Sequence, residues 1–313
     1  MDTLRRSLTE RNIWLFLVCA FLAWVTYHLK VATTPAWTDG TLEINHARMV
    51  AFDFVNNEQS RLLQYGIPQA LVRVCGISVR SAYTLQRLVF TTLALLVFVL
   101  FLRRWIRPGA AFACVALYAL LIAYSARNDL QESAPLLGLT FVSALSAVRE
   151  KRELLFAAIV WLGSLNNETI LFLPFVYLLV HADRSSLSNT VRIGLRAMLL
   201  GLPAFLSVAA IRYTTRDLAS LGGGWHLDEN LRALGAVILF FGTFWMLALR
   251  KVKALPVFLQ RTLISIPFFL IPNLIVGVIT ETRLLLPLAF FVLPAALWTW
   301  MPEERAPDEE ISV

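Results

Sequence analysis

The chain has 313 residues, of which 58% are hydrophobic and 16% charged, and its mean hydropathy is +0.67. This apolarity exceeds that of soluble domains, and the apolar residues fall in repeated runs, so the composition predicts an all-α polytopic membrane protein. The net charge of +7 comes mainly from basic residues at the ends of the apolar runs. We interpret this charge as a signal for membrane orientation, and we predict no nucleic-acid partner.

The N-terminal part of the chain predicts one membrane helix followed by a long extracytoplasmic loop. Arginines at positions 5, 6 and 11 place the N-terminus in the cytoplasm, and residues 13–29 cross outward. No small-residue cleavage signal follows this run, so we predict a retained helix and not a signal peptide. Residues 30–83 are too polar to span a membrane. Within them, 44–55 and 61–74 carry apolar residues at helical spacing, which predicts amphipathic helices on the outer surface.

Residues 153–181 predict a short helical hairpin around which the rest of the chain is organised. Two apolar runs of only about 12 to 14 residues flank Asn166, Asn167 and Glu168, whereas a full span needs ~20. Both ends of the segment are basic, so both are predicted to be cytoplasmic. The polar tip then lies near the extracytoplasmic face, because a carboxylate between two carboxamides is costly inside the lipid.

The remaining apolar runs complete a predicted count of ten membrane helices, two of them from the hairpin. The other crossings are predicted at residues 83–102, 108–124, 133–148, 193–211, 231–249, 263–279 and 284–300. Residues 1–302 then form a single domain in the cytoplasmic (inner or plasma) membrane, with both termini in the cytoplasm. Residues 303–313 are predicted to be an acidic, disordered cytoplasmic tail. No internal repeat is evident, which argues against many transporter folds.

Carboxylates gather on the predicted outer side, and Asp39 is the first candidate among them. It follows the first helix by about ten residues, and Gly40 allows a tight turn that could aim the carboxylate over the membrane. The alternative is that Asp39 caps a helix beginning near Leu42. Glu43 and His46 are spaced to share a helix face. A metal site is a weaker interpretation of this pair, because no second histidine lies nearby, and a structural salt bridge is favoured.

Arginines on the outer loops are candidates for holding a phosphate, since guanidinium offers paired donors that match phosphate oxygens. The candidates are Arg127, Arg212, Arg216 and Arg283. The alternative for each is ordinary snorkelling at the membrane surface. Glu168 could orient an arginine, bind substrate or tie helices together. Apart from the hairpin tip, the apolar runs are interpreted as almost free of ionisable groups, which favours chemistry at the surface over transport.

Several features of the chain together carry a resemblance to a known family. An acidic residue follows the first helix, the first external loop is long and amphipathic, the hairpin reads Trp161-Leu-Gly-Ser-Leu-Asn-Asn-Glu-Thr-Ile-Leu-Phe-Leu-Pro174, and the late segment reads Glu281-Thr-Arg283-Leu-Leu-Leu-Pro287. They resemble the GT-C superfamily of integral membrane glycosyltransferases. The segment Tyr124-Ser-Ala-Arg127-Asn is also similar to that group. The resemblance covers most of the chain, although each motif is short and degenerate.

The resemblance implies an inverting transfer of a sugar from a polyprenyl-phosphate donor on the extracytoplasmic face. Asp39 would be the general base, with Glu43 as the alternative because Gly40, and not a second acid, follows Asp39. Arg283, together with Arg127 and Arg216, would neutralise the phosphate. The further candidate substrate-binding residues are Glu168, Glu281, Trp37, Trp225 and His226.

The implied partners are the polyprenyl-phosphate-linked sugar, a glycan, glycolipid or protein acceptor, and membrane lipids. No cofactor is predicted, and a divalent cation stays open. The chain is short for this group and has no folded external C-terminal domain, so a membrane partner subunit could supply an acceptor module. The rival hypothesis is a non-catalytic protein: a transporter or flippase for a lipid-linked intermediate, or a pseudoenzyme subunit of an envelope-assembly complex.

Overall fold

The computed structural model describes residues 2–55, 57–125, 130, 132–182, 186–218, 226–278 and 281–301. In this part of the chain the regular structure is entirely helical, with no strand, as the composition predicts. The α-helices are α1 (Asp2–Thr33), α2 (Thr41–Val50), α3 (Leu62–Cys75), α4 (Val79–Leu102), α5 (Pro108–Ser125), α6 (Ser133–Arg149), α7 (Glu153–Ser164), α8 (Leu173–His181), α9 (Leu187–Thr214), α10 (Leu227–Arg232), α11 (Leu234–Phe241), α12 (Thr243–Arg250), α13 (Val257–Ile264), α14 (Ile266–Val276) and α15 (Ala289–Trp300).

In the described part of the chain, six helical segments are long and apolar enough to cross a membrane, which supports a helical protein of membrane type. They are Asn12–Thr33, Val79–Leu102, Pro108–Ser125, Leu187–Thr214, Val257–Ile275 and Thr282–Trp300. Three shorter apolar helices are Ser133–Arg149, Glu153–Ser164 and Glu168–His181. The predicted single helix at residues 231–249 is instead divided between α10, α11 and α12, with Gly242 at a positive φ of 50° between α11 and α12. The count of ten membrane helices therefore stays a prediction.

The long first loop contains two helices, close to where the sequence predicts them. Helix α2 ends at Val50, five residues earlier than predicted, because Phe52 adopts a positive φ of 56°. Helix α3 ends at Cys75, and Gly76 follows in the left-handed conformation that often terminates helices. Both helices pack against α4, so the loop is folded onto the bundle.

Helices α4, α6 and α15 form the centre of the bundle, whereas α1 and α9 lie at its periphery. Burial differs over an 18-residue stretch of each candidate span. In the span that contains α15, 72% of this stretch is buried, against 22% for α1 and 17% for α9. Rings of Phe98, Tyr118, Phe141 and Phe290 contact one another in the core, with centroid distances of 4.7 to 5.8 Å. The peripheral helices present exposed Leu, Phe and Trp side chains, as expected of surfaces that face lipid.

The bundle has two chemically different ends, as the alternating crossings require. At one end, here called the first-loop end, the backbone N–H of Leu63 donates to the carbonyl of Leu165, which joins α3 to the tip of the hairpin. At the opposite end, here called the basic end, Arg104 pairs with Glu150 and Arg196 pairs with Glu153. This arrangement places the first loop and the hairpin tip together, which is where the candidate site residues lie.

Candidate functional site

Asp39 lies in an exposed turn directly before Gly40, the N-cap residue of the following helix. One carboxylate oxygen accepts a hydrogen bond of 2.9 Å from the N–H of Thr41, the first residue of α2, and Gly40 takes a φ of 94°. Hydrogen bonds from the side chain and from the backbone N–H of Thr41 lower the pKa of Asp39, and the Arg80 guanidinium lowers it further. Asp39 thus binds the first N–H of α2 from the position before the N-cap residue, and its carboxylate is ionised and open to solvent.

Arg80 links the Asp39 turn to Glu43. Its Nη2 atom donates to the carbonyl of Thr38 at 3.3 Å and lies 3.1 Å from Oε1 of Glu43. Glu43 is thus held in the salt bridge that the sequence analysis favours for this segment. Because no cation among the described residues forms an ion pair with Asp39, it is the more available of the two candidate bases.

His46 is buried and points away from solvent. Its two ring nitrogens lie 3.1 Å from the Tyr83 hydroxyl and 2.9 Å from Oε1 of Gln69. Since a carboxamide oxygen can only accept, Nε2 carries a proton, and a neutral imidazole would accept from the Tyr83 hydroxyl through Nδ1. The structure gives His46 no contact with Glu43, and the described residues contain no cluster of three metal-ligating side chains.

Burial of His46 makes the stability of the first loop dependent on pH. Burial lowers the pKa of His46, because the charged imidazolium would lose solvation and Nδ1 could no longer accept a hydrogen bond. An unfolded chain binds this proton below about pH 6.5, whereas the folded chain resists it. The contribution of His46 to the free energy of unfolding should therefore be fully present above about pH 6.5. It should decrease as the pH falls below this value, by up to about 1.4 kcal/mol per pH unit.

This prediction is checked by denaturant titrations of the native chain and His46→Gln in detergent between pH 5 and pH 8. The difference in stability between the two should shrink as the pH falls below 6.5. A constant difference across the range would show that His46 does not titrate differently in the two states.

Trp37 is part of the core of the first-loop end and not of an open surface. Its side chain is fully buried, its ring packs edge-on against Tyr27 and Tyr83, and Nζ of Lys30 lies 5.5 Å from its ring centroid. In this conformation the ring faces neighbouring side chains. A stacking role on sugar or lipid would require the first loop to uncover it.

Arg283 and Glu281 form a network with the first loop. Arg283 lies 3.1 Å from Glu58 and 3.0 Å from Glu281, and Arg61 approaches the same Glu58 oxygen at 3.6 Å. Glu58 and Arg283 are largely buried. Two arginines therefore converge on one carboxylate at the junction of the first and last loops. The candidate base Asp39 is near Arg80 and does not contact this network.

Glu168 at the hairpin tip holds Arg212 of α9 in a bidentate ion pair. The distances are 3.1 Å from Nε and 2.5 Å from Nη2 to the two carboxylate oxygens. A shallow depression of about 230 Å³, part of it open to solvent, lies beside this pair. Its lining residues are Ser60, Arg61, Ser164, Glu168, Val208, Ile211 and Arg212. Arg61 thus borders both the depression and the Arg283 network.

Two other predicted site residues, Arg216 and His226, lie outside these clusters. Arg216 is exposed, pairs with Asp217 at 3.7 Å and lies over the Tyr213 ring at 4.6 Å. Nδ1 of His226 lies 3.3 Å from Oε2 of Glu229, and the backbone N–H of His226 donates to the carbonyl of Ile275. Arg127, Trp225 and the acidic tail at 303–313 lie outside the described residues.

A fully buried ion cluster was not predicted. Glu132 lies 3.3 Å from Lys30 of α1 and 2.5 Å from Arg87 of α4, and all three side chains are inaccessible to solvent. Arg87 also donates to the carbonyl of Thr26 at 3.2 Å. The prediction that the apolar runs are almost free of ionisable groups is therefore wrong for Arg87 of α4. The available signal was an arginine eight residues inside an apolar helix, which is costly unless paired.

Comparison with protein-family models, with curated proteins and with solved structures found no match. The resemblance to the GT-C superfamily therefore stays a prediction from the motifs. The described geometry offers an exposed carboxylate at the first-loop end. At the same end, guanidinium groups from the first loop, α9 and the last loop approach one another beside a depression.

Proposed function

We propose that the chain is an inverting glycosyltransferase that uses a polyprenyl-phosphate sugar donor at the extracytoplasmic face, which we assign to the first-loop end. The observation that carries the proposal is the gathering of Arg61, Arg212 and Arg283 around one junction, at the same end of the bundle as the exposed Asp39. A lipid phosphate needs cations close to the membrane, and an acceptor hydroxyl needs an accessible base.

In the proposed reaction, Asp39 removes the proton from the acceptor hydroxyl while the acceptor oxygen attacks the anomeric carbon of the donor sugar. The bond between that carbon and the lipid phosphate oxygen breaks, and the polyprenyl phosphate leaves with the additional negative charge. Guanidinium groups stabilise that charge as it develops. Attack opposite to the leaving group inverts the configuration at the anomeric carbon. A divalent cation is not needed in this scheme, and its requirement stays open.

The arginines are at present engaged by the protein's own carboxylates. Glu168 occupies Arg212, and Glu58 and Glu281 occupy Arg283. A phosphate would have to share or displace these carboxylates. We therefore assign Arg283 to phosphate binding in the donor complex, with Glu58 and Glu281 as the groups that hold its fork in position beforehand.

The Arg283 assignment predicts a large loss for Arg283→Gln. We expect kcat/KM for the polyprenyl-phosphate donor to fall by about 10²- to 10³-fold, because one charge-stabilising donor to the leaving group is removed. The assay is sugar transfer in membranes at equal expression. Arg48→Gln is the matched control, since Arg48 is an exposed first-loop arginine paired with Asp53. Equal activity of both variants would remove Arg283 from the site, and partial rescue by Arg283→Lys would support a charge role.

The rival hypothesis gains support from one observation. In the Lys30–Arg87–Glu132 cluster, the two buried cations lie in helices that are long enough to span a membrane, and Glu132 directly precedes α6. Buried ionisable groups of this kind are frequent in transport pathways. Transport of a lipid-linked intermediate, or a pseudoenzyme subunit role, is therefore the second candidate.

The two functions are separated by assaying a panel of polyprenyl-phosphate sugars in membranes that contain the native chain. Transfer of sugar to endogenous acceptor, above that of membranes without the chain, supports the enzyme. Absence of turnover across the panel, together with chain-dependent movement of the intact lipid-linked sugar between leaflets, would support the transporter.

A further inference from the structure

We propose that the basic end carries a binding site for the headgroups of anionic phospholipids. The site is the surface formed by Arg103, Arg107, Arg250, Lys251 and Lys253, here called the basic patch. The proposal is independent of the glycosyltransferase function, because it concerns the opposite end of the bundle.

Packing of aromatic side chains brings the two halves of the basic patch together. Arg103 and Arg107 flank Trp105, whose ring stacks on Phe258 of α13 at a centroid distance of 5.3 Å. The carboxamide of Gln260, also in α13, donates to the carbonyls of Lys253 at 3.4 Å and Leu255 at 2.7 Å. Both basic segments are thereby attached to the beginning of the same helix.

Arg149 adds a further cation beside this junction. Its guanidinium lies 4.2 Å from the centroid of the Trp105 ring, a cation–π distance. This contact attaches the end of α6 to the same ring that anchors the loop before α5. Three separate chain segments therefore present positive charge around Trp105.

In the part of the chain that the structure describes, the cations of the basic patch have no carboxylate partner, whereas most arginines at the first-loop end have one, Arg73 and Arg232 excepted. Among the described residues, none of the five patch side chains forms an ion pair, and all five are exposed. The nearby Glu150 is engaged by Arg104 and Arg152, and Glu153 by Arg196. At the first-loop end, six arginines each lie within 4 Å of a carboxylate. These six are Arg48, Arg61, Arg80, Arg212, Arg216 and Arg283.

The surroundings of the basic patch select a lipid over a soluble anion. Exposed apolar side chains border it directly, including Met246, Leu249 and Val257, each at least 51% exposed. Trp300, 60% exposed, ends α15 at the same end of the bundle. A ligand with phosphates beside acyl chains fits a cationic surface that adjoins an apolar one. Basic surfaces between helix ends on the cytoplasmic side bind such headgroups.

The test compares binding of phosphatidylglycerol and phosphatidylcholine to the purified full chain in neutral detergent, measured by native mass spectrometry. The native chain should retain phosphatidylglycerol selectively, and raised salt should weaken that binding. The triple variant Arg103→Gln, Lys251→Gln, Lys253→Gln should lose at least tenfold in apparent affinity, since each of the three cations attracts the anionic headgroup.

The matched control removes three exposed arginines from the first-loop end, as Arg48→Gln, Arg73→Gln, Arg232→Gln, and should retain the native affinity. An equal loss in the control would overturn the proposal, because net charge alone would then explain binding. Equally tight binding of inorganic phosphate would also overturn it. If the native chain showed no selectivity until residues 302–313 were removed, the acidic tail, and not lipid, would be the occupant, and the proposal would fail.

Discussion

Asp39→Asn is expected to abolish sugar transfer, with a loss of about 10²- to 10⁴-fold in kcat. The variant removes the base and leaves the fold intact, because the asparagine oxygen can still accept the 2.9 Å hydrogen bond from Thr41 that begins α2. The measurement is transfer from the polyprenyl-phosphate sugar that the native chain uses, in membranes with equal amounts of protein.

The lowered pKa of Asp39 adds a pH signature to this result. A base acts when it is ionised, and hydrogen bonding to Thr41 favours the ionised form. On the acidic side, the pH at which the transfer rate falls to half should therefore lie below the ordinary aspartate pKa of about 3.9. A limit near neutral pH would indicate another base.

Two variants of the same loop serve as controls for Asp39→Asn. Asp53→Asn removes an exposed carboxylate that pairs with Arg48, and it should leave transfer unchanged. Glu43→Gln should cause a smaller loss, through release of Arg80 from its 3.1 Å contact. If Glu43→Gln eliminated transfer and Asp39→Asn did not, the base would be Glu43. If neither variant affected transfer, the base assignment would be wrong at both positions.

Glu132→Gln is expected to lower the free energy of unfolding by about 3 to 5 kcal/mol, the largest effect on stability that the structure suggests. The substitution preserves the size of the side chain and removes the negative charge between Lys30 and Arg87. Both cations are fully buried, so loss of the carboxylate leaves positive charge without its nearest compensation in a medium of low dielectric constant.

The stability of Glu132→Gln is measured by reversible unfolding in mixed detergent, and Glu229→Gln is the matched control. Glu229 also lies close to a possible cation, 3.3 Å from His226, but its carboxylate is 79% exposed, so no measurable change is expected. A double-mutant cycle with Arg87→Met should give a coupling energy of about 1 to 3 kcal/mol. Native stability in Glu132→Gln would show that water solvates the cluster, which would favour the transport hypothesis.

The class of protein and most of its helices were predictable from local sequence patterns. Hydropathy and helical periodicity depend on neighbouring residues, so the bounds of α4, α5 and α6 agree with their predicted runs within a few residues. The hairpin between Glu153 and His181 and the two helices of the first loop were also predictable, because polar tips and apolar spacing are local signals. The capping alternative for Asp39 followed from a turn glycine and a helix start that are adjacent in the chain.

Tertiary structure alone decided which charges meet. Arg87 contacts Glu132 across 45 positions, and Arg283 contacts Glu58 across 225, so no local pattern could pair them. The burial of Trp37 was not predictable either, because an aromatic residue in a loop is typical of an interfacial anchor. Only the packing against Tyr27 of α1 and Tyr83 of α4 encloses its ring. A buried charge is stable only when its partners arrive from other helices, and helix packing determines which partners those are.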